Sequence, residues 1–226
     1  MKPILQNTDD GSLTLRLNEM DETYHSTHGA LTEAQYVYIQ NGFERSTKEH
    51  LNILEIGFGT GLNALVTADT FLKQNKVKSV HYHTLEKYPV PQEIISQLNY
   101  GQVLLENREA LFSAIHQAPW EVDDEITTGF TLHKQKIDLL TDTLSGGFDL
   151  VYYDAFAPSK QAEMWQQEVI KKVVDVMNDG ALLSTYCVQG QAKRAFIACG
   201  LTLNRLPGPP GKRHMLNAIK EVNTIY

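Results

Sequence analysis

The sequence predicts an α/β fold with a mostly parallel sheet, and two observations predict it. From Leu51 onward, apolar runs alternate with stretches of helical periodicity, which is the pattern of βαβ units. After Gly200, two strand-like runs flank Pro207-Gly208-Pro209-Pro210-Gly211, a segment that can continue neither a strand nor a helix. These two runs predict a C-terminal antiparallel hairpin. The 226 residues suffice for one large domain with a small appendage.

The first residues predict that appendage. Ile4-Leu5-Gln6 and Leu13–Leu17 flank Asp9-Asp10-Gly11, and alternating apolar residues around an Asp-Gly turn predict a small N-terminal β-hairpin. The apolar spacing that follows predicts a helix from Leu31 to Gly42. We expect the hairpin and the helix to occupy residues 1–45.

Residues 46–226 form the predicted α/β domain, in which strands and helices alternate. The predicted strands are Leu51–Ile56, Ser79–Leu85, Phe130–Lys134, Phe148–Tyr153 and Ala181–Tyr186. The predicted helices are Leu62–Leu72, Gln92–Leu98, Val103–His116, Ala162–Met177 and Gln191–Cys199. The two runs of the terminal hairpin are Leu201–Leu206 and His214–Ile219.

The composition is that of an ordinary globular protein, with 42% hydrophobic and 21% charged residues. No stretch approaches the roughly 18 to 20 consecutive apolar residues that a membrane helix requires. The N-terminus turns polar before an apolar signal-peptide core develops, so neither export nor membrane insertion is expected. We therefore expect a cytoplasmic protein, and the sequence gives no sign of an obligatory protein partner.

Positive charge is concentrated late in the chain, although the net charge is −7. Between Gly180 and Lys220 there is no Asp or Glu, whereas six basic residues occur there: Lys193, Arg194, Arg205, Lys212, Arg213 and Lys220. Such a segment favours contact with nucleic-acid phosphates, and the alternative is a basic face that is merely solvated. The net charge of the whole chain is therefore a poor guide to the partner.

The strongest local signal is a strand that runs into three glycines and then a helix, in Glu55-Ile56-Gly57-Phe58-Gly59-Thr60-Gly61-Leu62-Asn63. Glycines permit positive φ and let a ligand approach the backbone, while the helix N-terminus offers free N–H groups. A dinucleotide motif would place its third glycine at position 62, which is Leu. The spacing resembles motif I of S-adenosylmethionine-dependent methyltransferases. A nucleotide cofactor and a purely structural tight turn are the alternatives.

Two acids follow later strands of the predicted sheet. Glu86 ends the second predicted strand, where a carboxylate commonly accepts the two ribose hydroxyls of a bound cofactor. The alternative is a surface Glu that begins the turn Glu86-Lys87-Tyr88-Pro89. Asp138 follows the third strand, and we predict that it accepts a hydrogen bond from an adenine amino group.

The fourth predicted strand delivers Asp154-Ala155-Phe156-Ala157-Pro158 to the carboxyl edge of the sheet, where open α/β folds bind ligands. An ordinary Asp is too weak a base to hold the proton of an alkylamine, whose pKa is near 10. It can instead accept a hydrogen bond from the neutral amine and orient the lone pair toward a methyl donor. We predict this role for Asp154, and the alternative is an Asp that caps the next helix.

The chain resembles, over most of its length, the methyltransferase domain of the bifunctional tRNA-modification enzymes that make 5-methylaminomethyl-2-thiouridine at the wobble position. The segments that carry the resemblance are Tyr24-His25-Ser26, Gly29-Ala30, Glu33, Tyr36-Val37, Glu55 to Asn63, Glu86 to Pro89, Asp154 to Pro158, Lys160, Met164-Trp165 and Pro207 to Leu216. The glycine motif is generic, whereas the segment from Asp154 to Trp165 and the last segment are specific to this group.

The resemblance implies a Rossmann-like class I fold and methyl transfer from S-adenosylmethionine to the amine of 5-aminomethyl-(2-thio)uridine in the tRNA anticodon loop. It implies a cofactor site of Glu55, Gly57, Phe58, Gly59, Gly61, Asn63, Glu86 and Lys87, to which Asp138 is added. Asp154 is the expected catalytic residue, and the expected substrate-binding residues are Tyr24, His25, Phe156, Lys160, Lys212 and Arg213. Tyr24, His25 and Phe156 are expected to stack on or frame an extruded base.

This sequence departs from the bifunctional form because it stops soon after the basic segment. We therefore expect a stand-alone methyltransferase without the flavin-dependent oxidase domain, and hence without flavin. We also expect no metal site. His81 and His83 share a face of the second predicted strand, but the sequence shows no Cys, Asp or Glu to complete a ligand set nearby.

Two other functions stay open at this level. A class I methyltransferase that acts on a small amine or a protein amine would retain Asp154 but show no salt-sensitive tRNA binding. A non-catalytic RNA-binding module would retain the fold, but it would have no need of intact glycines, Glu86 and Asp154 together.

Overall fold

An eight-stranded sheet organises the computed structural model, which describes residues 3–222. The strands, in chain order, are β1 (Ile4–Asn7), β2 (Leu13–Leu17), β3 (Glu22–Thr23), β4 (His50–Ile56), β5 (Ser79–Leu85), β6 (Asp123–Thr127), β7 (Phe130–Gln135), β8 (Phe148–Tyr153), β9 (Met177–Thr185), β10 (Leu201–Pro207) and β11 (His214–Lys220). The first three form a separate antiparallel sheet, which includes the predicted N-terminal hairpin.

The order of the large sheet is β10-β11-β9-β8-β4-β5-β7-β6. The five strands from β9 to β7 are parallel, and β10 and β11 form the antiparallel C-terminal hairpin, as predicted. The chain leaves β4 toward β5 and β7 on one side, and later returns to add β8 and β9 on the other. In open α/β sheets, ligands bind at such a switch point, outside the carboxyl ends of the strands.

The helices lie between these strands. They are α1 (Ala30–Ala34), which continues as a π-helical turn (Gln35–Gln40), a 3-10 turn (Phe43–Arg45), α2 (Leu62–Lys73), α3 (Gln92–Ile95), α4 (Tyr100–Val103), α5 (Glu109–Gln117), a second 3-10 turn (Ala162–Trp165), α6 (Gln167–Asp175) and α7 (Gly190–Ala198). Within the described residues, no helix has the length and apolar character needed to cross a membrane.

Four predicted helices differ from the structure. The helix predicted over Gln92–Leu98 ends at Ile95. The helix predicted over Val103–His116 is instead α4 and α5, separated by the non-helical residues 104–108, where Asn107 Oδ1 accepts the N–H of Glu109 at 2.9 Å. The helix predicted over Ala162–Met177 begins as a 3-10 turn, and its last residue already belongs to β9. The helix predicted over Leu31–Gly42 changes to π geometry in its second half, a feature that is frequent at functional sites.

Two strands, β3 and β6, were not predicted. The acidic start of β6, Asp123-Asp124-Glu125, has low strand propensity, but the strand forms because it pairs with β7. The pairing places Asp123 Oδ1 3.1 Å from Nε2 of His81. The prediction that no acid stands near His81 and His83 is therefore wrong.

The two faces of the large sheet carry two apolar cores. One core contains α1, α2 and α5, and the other contains α6 and α7. The N-terminal region is tied to the sheet by polar contacts as well, since Ser184 Oγ donates to Val37 O at 2.7 Å and Asn217 Nδ2 donates to Asn41 O at 2.8 Å. The division of the chain after residue 45 stays a prediction.

Candidate active site

A cavity of about 1030 Å³ opens at the carboxyl ends of β4, β5 and β8. Its size suits a nucleoside-sized ligand together with a second reactant. Thirteen of the residues expected at the site line it: Tyr24, His25, Gly57, Phe58, Gly59, Asn63, Glu86, Lys87, Asp138, Asp154, Phe156, Lys160 and Lys212. Among the described residues, Glu55, Gly61 and Arg213 are the expected site residues that do not line it.

The glycine turn after β4 is built from left-handed residues. Gly57, Gly59 and Gly61 have φ values of 94°, 51° and 72°. A Cβ on Gly59 would come within 3.2 Å of the Tyr24 ring, and a Cβ on Gly61 within 2.7 Å of His116 Nε2. The turn therefore needs glycine both for its conformation and for its close contacts. Gly61 serves the packing behind the turn and begins α2.

Glu86 faces this turn from the end of β5. Its Oε2 accepts the N–H of Gly59 at 2.9 Å, and its Oε1 accepts the N–H of Tyr88 at 2.8 Å. These bonds hold the carboxylate at the cavity wall with lone pairs left for further donors. A ribose diol supplies two such donors, so the residues fit the role expected of Glu86.

Lys87 and Asp138 meet at the same side of the cavity. Their Nζ and Oδ2 atoms are 2.7 Å apart, and Asp138 Oδ1 accepts the N–H of Leu140 at 3.0 Å. The hydrogen bond from Lys87 is the main reason that the pKa of Asp138 is lowered. Both oxygens of Asp138 thus have a donor already, and an adenine amino group would share one of them.

Asp154 is the centre of a polar network at the opposite wall. Tyr38 donates its hydroxyl to Asp154 Oδ1 at 2.5 Å, and Asn63 Nδ2 donates to Asp154 Oδ2 at 2.8 Å. Burial raises the pKa of Asp154 to about 7, and the nearby charge of Glu33 acts in the same direction. The two hydrogen bonds oppose this rise, and they fix the plane of the carboxyl group.

Glu55 lies behind this network and is fully buried. Thr84 donates to its Oε2 at 2.6 Å, and burial raises the pKa of Glu55 to about 8. Within the described chain, Glu55 Oε1 and Asn63 Oδ1 lack a hydrogen-bond partner. Glu55 does not line the cavity, so it supports the site from behind instead of touching a ligand.

Two aromatic side chains frame the cavity near Asp154. The rings of Tyr24 and Phe156 meet edge to face, with centroids 5.1 Å apart. His25 stands beside them, but its Nδ1 lies 3.0 Å from Thr14 Oγ1. Desolvation lowers the pKa of His25 to about 4, so this ring is neutral at pH 7. Tyr24 and Phe156 are therefore the better platform for a flat ring.

The three basic residues expected to bind the substrate lie in different environments. Lys212 forms an ion pair with the buried Glu33, and its Nζ lies 4.1 Å from the centre of the Tyr186 ring. Lys160 Nζ donates to Met20 O at 2.8 Å, which ties the Asp154 loop to the N-terminal region. Arg213 is exposed. Of the three, only Arg213 is positioned on an open surface.

Sequence reasoning missed Tyr38 and Glu33 as site residues. Tyr38 belongs to the apolar spacing that predicts its helix, and 99% of its surface is covered. Its hydroxyl nevertheless reaches Asp154, 116 residues later in the chain. A tyrosine on the buried face of a helix, where the hydroxyl needs a partner, is the one signal that pointed to this contact.

Comparisons with known proteins agree with the geometry. The family model described as S-adenosyl-L-methionine-dependent methyltransferase matches residues 107–221. The tRNA 5-methylaminomethyl-2-thiouridine biosynthesis bifunctional protein MnmC of Cupriavidus metallidurans is 30% identical over 228 residues, which cover 95% of this chain and 33% of that protein. The protein of the same name from Leptospira interrogans is 30% identical over 216 residues, with 91% and 33% covered.

The chain spans about a third of the length of these curated relatives. The fold is also that of a solved structure, MNMC2 from Aquifex aeolicus, with a TM-score of 0.75 and 20% identity. That match covers 96% of this chain and 70% of the other.

Proposed function

Because the chain belongs to the S-adenosyl-L-methionine-dependent methyltransferases, we propose that it methylates the amine of 5-aminomethyl-(2-thio)uridine at the tRNA wobble position. The product is 5-methylaminomethyl-(2-thio)uridine. The observation that carries the proposal is the Asp154 carboxyl group, held by Tyr38 and Asn63 at the wall of a cavity that also contains the glycine turn. The names of the curated relatives support this substrate.

The residues around the glycine turn fit S-adenosylmethionine. Gly57 and Gly59 leave the backbone open to the cavity, and Glu86 stands across from them with lone pairs for a diol. Lys87, which follows Glu86 in the chain, forms an ion pair with Asp138, and all three residues line the same cavity. When bound, this cofactor supplies an electrophilic methyl group.

Asp154 handles the proton of the substrate amine. An alkylammonium with a pKa near 10 costs about 4 kcal/mol to neutralise at pH 7. The pKa of Asp154, about 7, lies half as far below the pKa of the amine as that of an ordinary Asp, near 3.9. Proton transfer from the ammonium to the Asp154 carboxylate is therefore less unfavourable. One N–H bond to Asp154 would then direct the lone pair of the amine toward the methyl carbon of a bound cofactor. The C–N bond would form as the sulfonium C–S bond breaks, with S-adenosylhomocysteine as the leaving group.

Tyr24 and Phe156 support recognition of the base. Both rings border the cavity that Asp154 also lines, so a uracil ring packed against them would present its 5-substituent to the carboxyl group. Single-stranded RNA bases are commonly extruded and stacked in this way. Action on tRNA would place the protein in the cytoplasm.

The test is methyl transfer from labelled S-adenosylmethionine to tRNA that carries 5-aminomethyluridine, followed by nucleoside analysis. We expect a new methylaminomethyl nucleoside with the wild type. Asp154→Ala should bind the cofactor within about threefold of the wild type, yet turn over about 10²- to 10⁴-fold more slowly, because acid–base and positioning roles contribute that much. Equal turnover in the variant would remove Asp154 from the mechanism.

A second candidate is a methyltransferase of small amines or protein amines, since Asp154 would serve any amine equally well. Transfer to such amines, with tRNA left unmodified and cofactor binding intact by calorimetry, would favour this candidate. The cofactor site would stand in either case, because it does not depend on the acceptor.

A further inference from the structure

One face of the sheet near its β6 edge carries a cluster of histidines that the methyltransferase reaction does not use. His81 and His83 alternate with the buried Val80 and Tyr82 along β5, so both imidazoles project from the same face. His133 of β7 stands opposite His83 in the parallel register. The rings of His83 and His133 stack with their centroids 4.7 Å apart.

Asp123 of the edge strand β6 completes the cluster. It pairs with His133 across the antiparallel ladder, and its Oδ1 lies 2.7 Å from His133 Nδ1. The side chain of His81 reaches across β7 from the other side and brings its Nε2 to 3.1 Å from the same oxygen. Three neighbouring strands thus direct side-chain nitrogen and oxygen atoms to one point.

This face is open because the β7–β8 connection contains no helix. The connection, residues 136–147, is described throughout and consists of turns and irregular chain. On the same face, α6 and α7 cover the other half of the sheet. The side chains of His81 and Asp123 are accordingly 37% and 58% exposed, so the cluster is accessible from solvent.

We propose that His81, His83 and Asp123 form a binding site for a divalent transition-metal ion of the Zn²⁺ class. Imidazole nitrogen together with carboxylate oxygen is a donor set suited to Zn²⁺. The ligand atoms of the three residues all lie within 4.8 Å of one another. With metal–ligand bonds of about 2.0–2.1 Å, tetrahedral ligand atoms are separated by about 3.3–3.4 Å, so a small rotation of the side chains closes the set.

His133 orients the carboxylate ligand. Its Nδ1 is in hydrogen-bond distance of Asp123, and such contacts to metal-bound carboxylates fix their direction and raise affinity. The two imidazole ligands come from β5 and the carboxylate from β6, with β7 between them. A bound ion therefore clamps the edge strand to the parallel sheet, and it leaves at least one coordination position open to water.

The test is equilibrium dialysis of the untagged full chain against ZnCl₂ at pH 7.5, with metal content measured by emission spectroscopy. We expect about one equivalent of bound Zn²⁺ in the wild type. His81→Gln and His83→Gln should each lower the affinity at least about 10-fold, because each removes one of three protein ligands. His50→Gln is the matched control, since His50 is an exposed histidine on the adjacent strand that pairs with Ser79 instead.

A second variant and a second measurement distinguish loss of Zn²⁺ binding from loss of the folded structure. Asp123→Asn alters only an exposed side chain, and it should weaken Zn²⁺ binding to a similar degree while the thermal unfolding of the metal-free protein stays unchanged. Zn²⁺ should also raise the Tm of the wild type and of His50→Gln, but not of His81→Gln. Less than 0.2 equivalents bound by the wild type, or equal affinity in wild type and Asp123→Asn, would overturn the proposal.

Discussion

At the scale of single residues, the hydrogen bond from Tyr38 to Asp154 lowers the proton affinity of the carboxyl group. The bond favours the carboxylate and so opposes the rise in the pKa of Asp154 that burial produces. We predict that Tyr38→Phe moves the acidic limb of the pH–rate profile to higher pH and lowers turnover about 10-fold at pH 7. Tyr36→Phe is the matched control, because Tyr36 donates to Pro207 O from a half-buried position of the same π-helical turn and does not contact Asp154.

Recovery of Tyr38→Phe toward the wild-type rate at pH 9 separates this electrostatic role from simple loss of packing. A loss of turnover that is the same at every pH would mean that Tyr38 acts through structure alone.

The raised pKa of Glu55 predicts how the stability of the folded protein depends on pH. Its folded pKa of about 8 lies above the value near 4.3 of an unfolded Glu, so the folded state binds more protons between these pH values. Stability should therefore fall as pH rises from about 4.5 to 8, by at most about 1.4 kcal/mol per pH unit from this group. Glu55→Gln removes the titration but keeps the shape of the side chain.

Urea unfolding of the two proteins at pH 5 and pH 8 measures the difference. We expect Glu55→Gln to gain stability relative to the wild type at pH 8. A difference that does not change with pH would show that Glu55 is ionised in the folded protein.

At the scale of elements, we propose that the turn between β4 and α2 determines whether the cavity can accept a cofactor. Gly59 has φ of 51°, and a Cβ there would press on the Tyr24 ring. We predict that Gly59→Val lowers the affinity for S-adenosylmethionine at least about 100-fold in calorimetry. Gly180→Val is the matched control, because Gly180 has φ of 76° in β9 but no atom within 4 Å of its added Cβ.

The control carries the same type of backbone strain without entering the cavity, so it should keep its cofactor affinity. Equal losses in both variants would mean that the effect is general destabilisation.

At the scale of the whole molecule, the basic residues late in the chain gather on α7 and the terminal hairpin. Lys193 and Arg194 lie on α7, Arg205 on β10, and Arg213 in the exposed loop before β11. If this face contacts tRNA phosphates, each contact contributes about 0.7–0.9 to the slope of log affinity against log salt. We predict that Arg205→Gln with Arg213→Gln lowers the magnitude of this slope by about 1.4–1.8.

Lys76→Gln with Lys78→Gln is the charge-matched control, since both residues are exposed cations just before β5, away from the carboxyl ends of the strands. Filter binding of tRNA between 50 and 300 mM KCl measures the slopes. An unchanged slope in the Arg205→Gln, Arg213→Gln variant would mean that these arginines are solvated and do not contact tRNA phosphates.

The sequence by itself determined the parallel strands, the terminal hairpin and the glycine turn, because each depends on a local pattern of apolar spacing and turn residues. The strand ends followed from the same patterns, so Glu86 and Asp154 were placed at the correct edge of the sheet. The methyltransferase family was also recognisable from the glycine motif and the residues after Asp154. These features required no knowledge of contacts distant in the chain.

Only the tertiary structure decided the chemical state of the site. The pKa values of Asp154 and Glu55 depend on burial and on partners such as Tyr38, which no local pattern reveals. The structure likewise shows that Lys212 forms an ion pair with Glu33, whereas the sequence predicted that Lys212 binds the substrate. It also brought Asp123 close to the histidines of β5, because Asp123 lies on β6, a strand whose acidic residues gave no strand signal in the sequence. In each case the deciding interaction joins residues far apart in the chain, and its strength is set by exclusion of water.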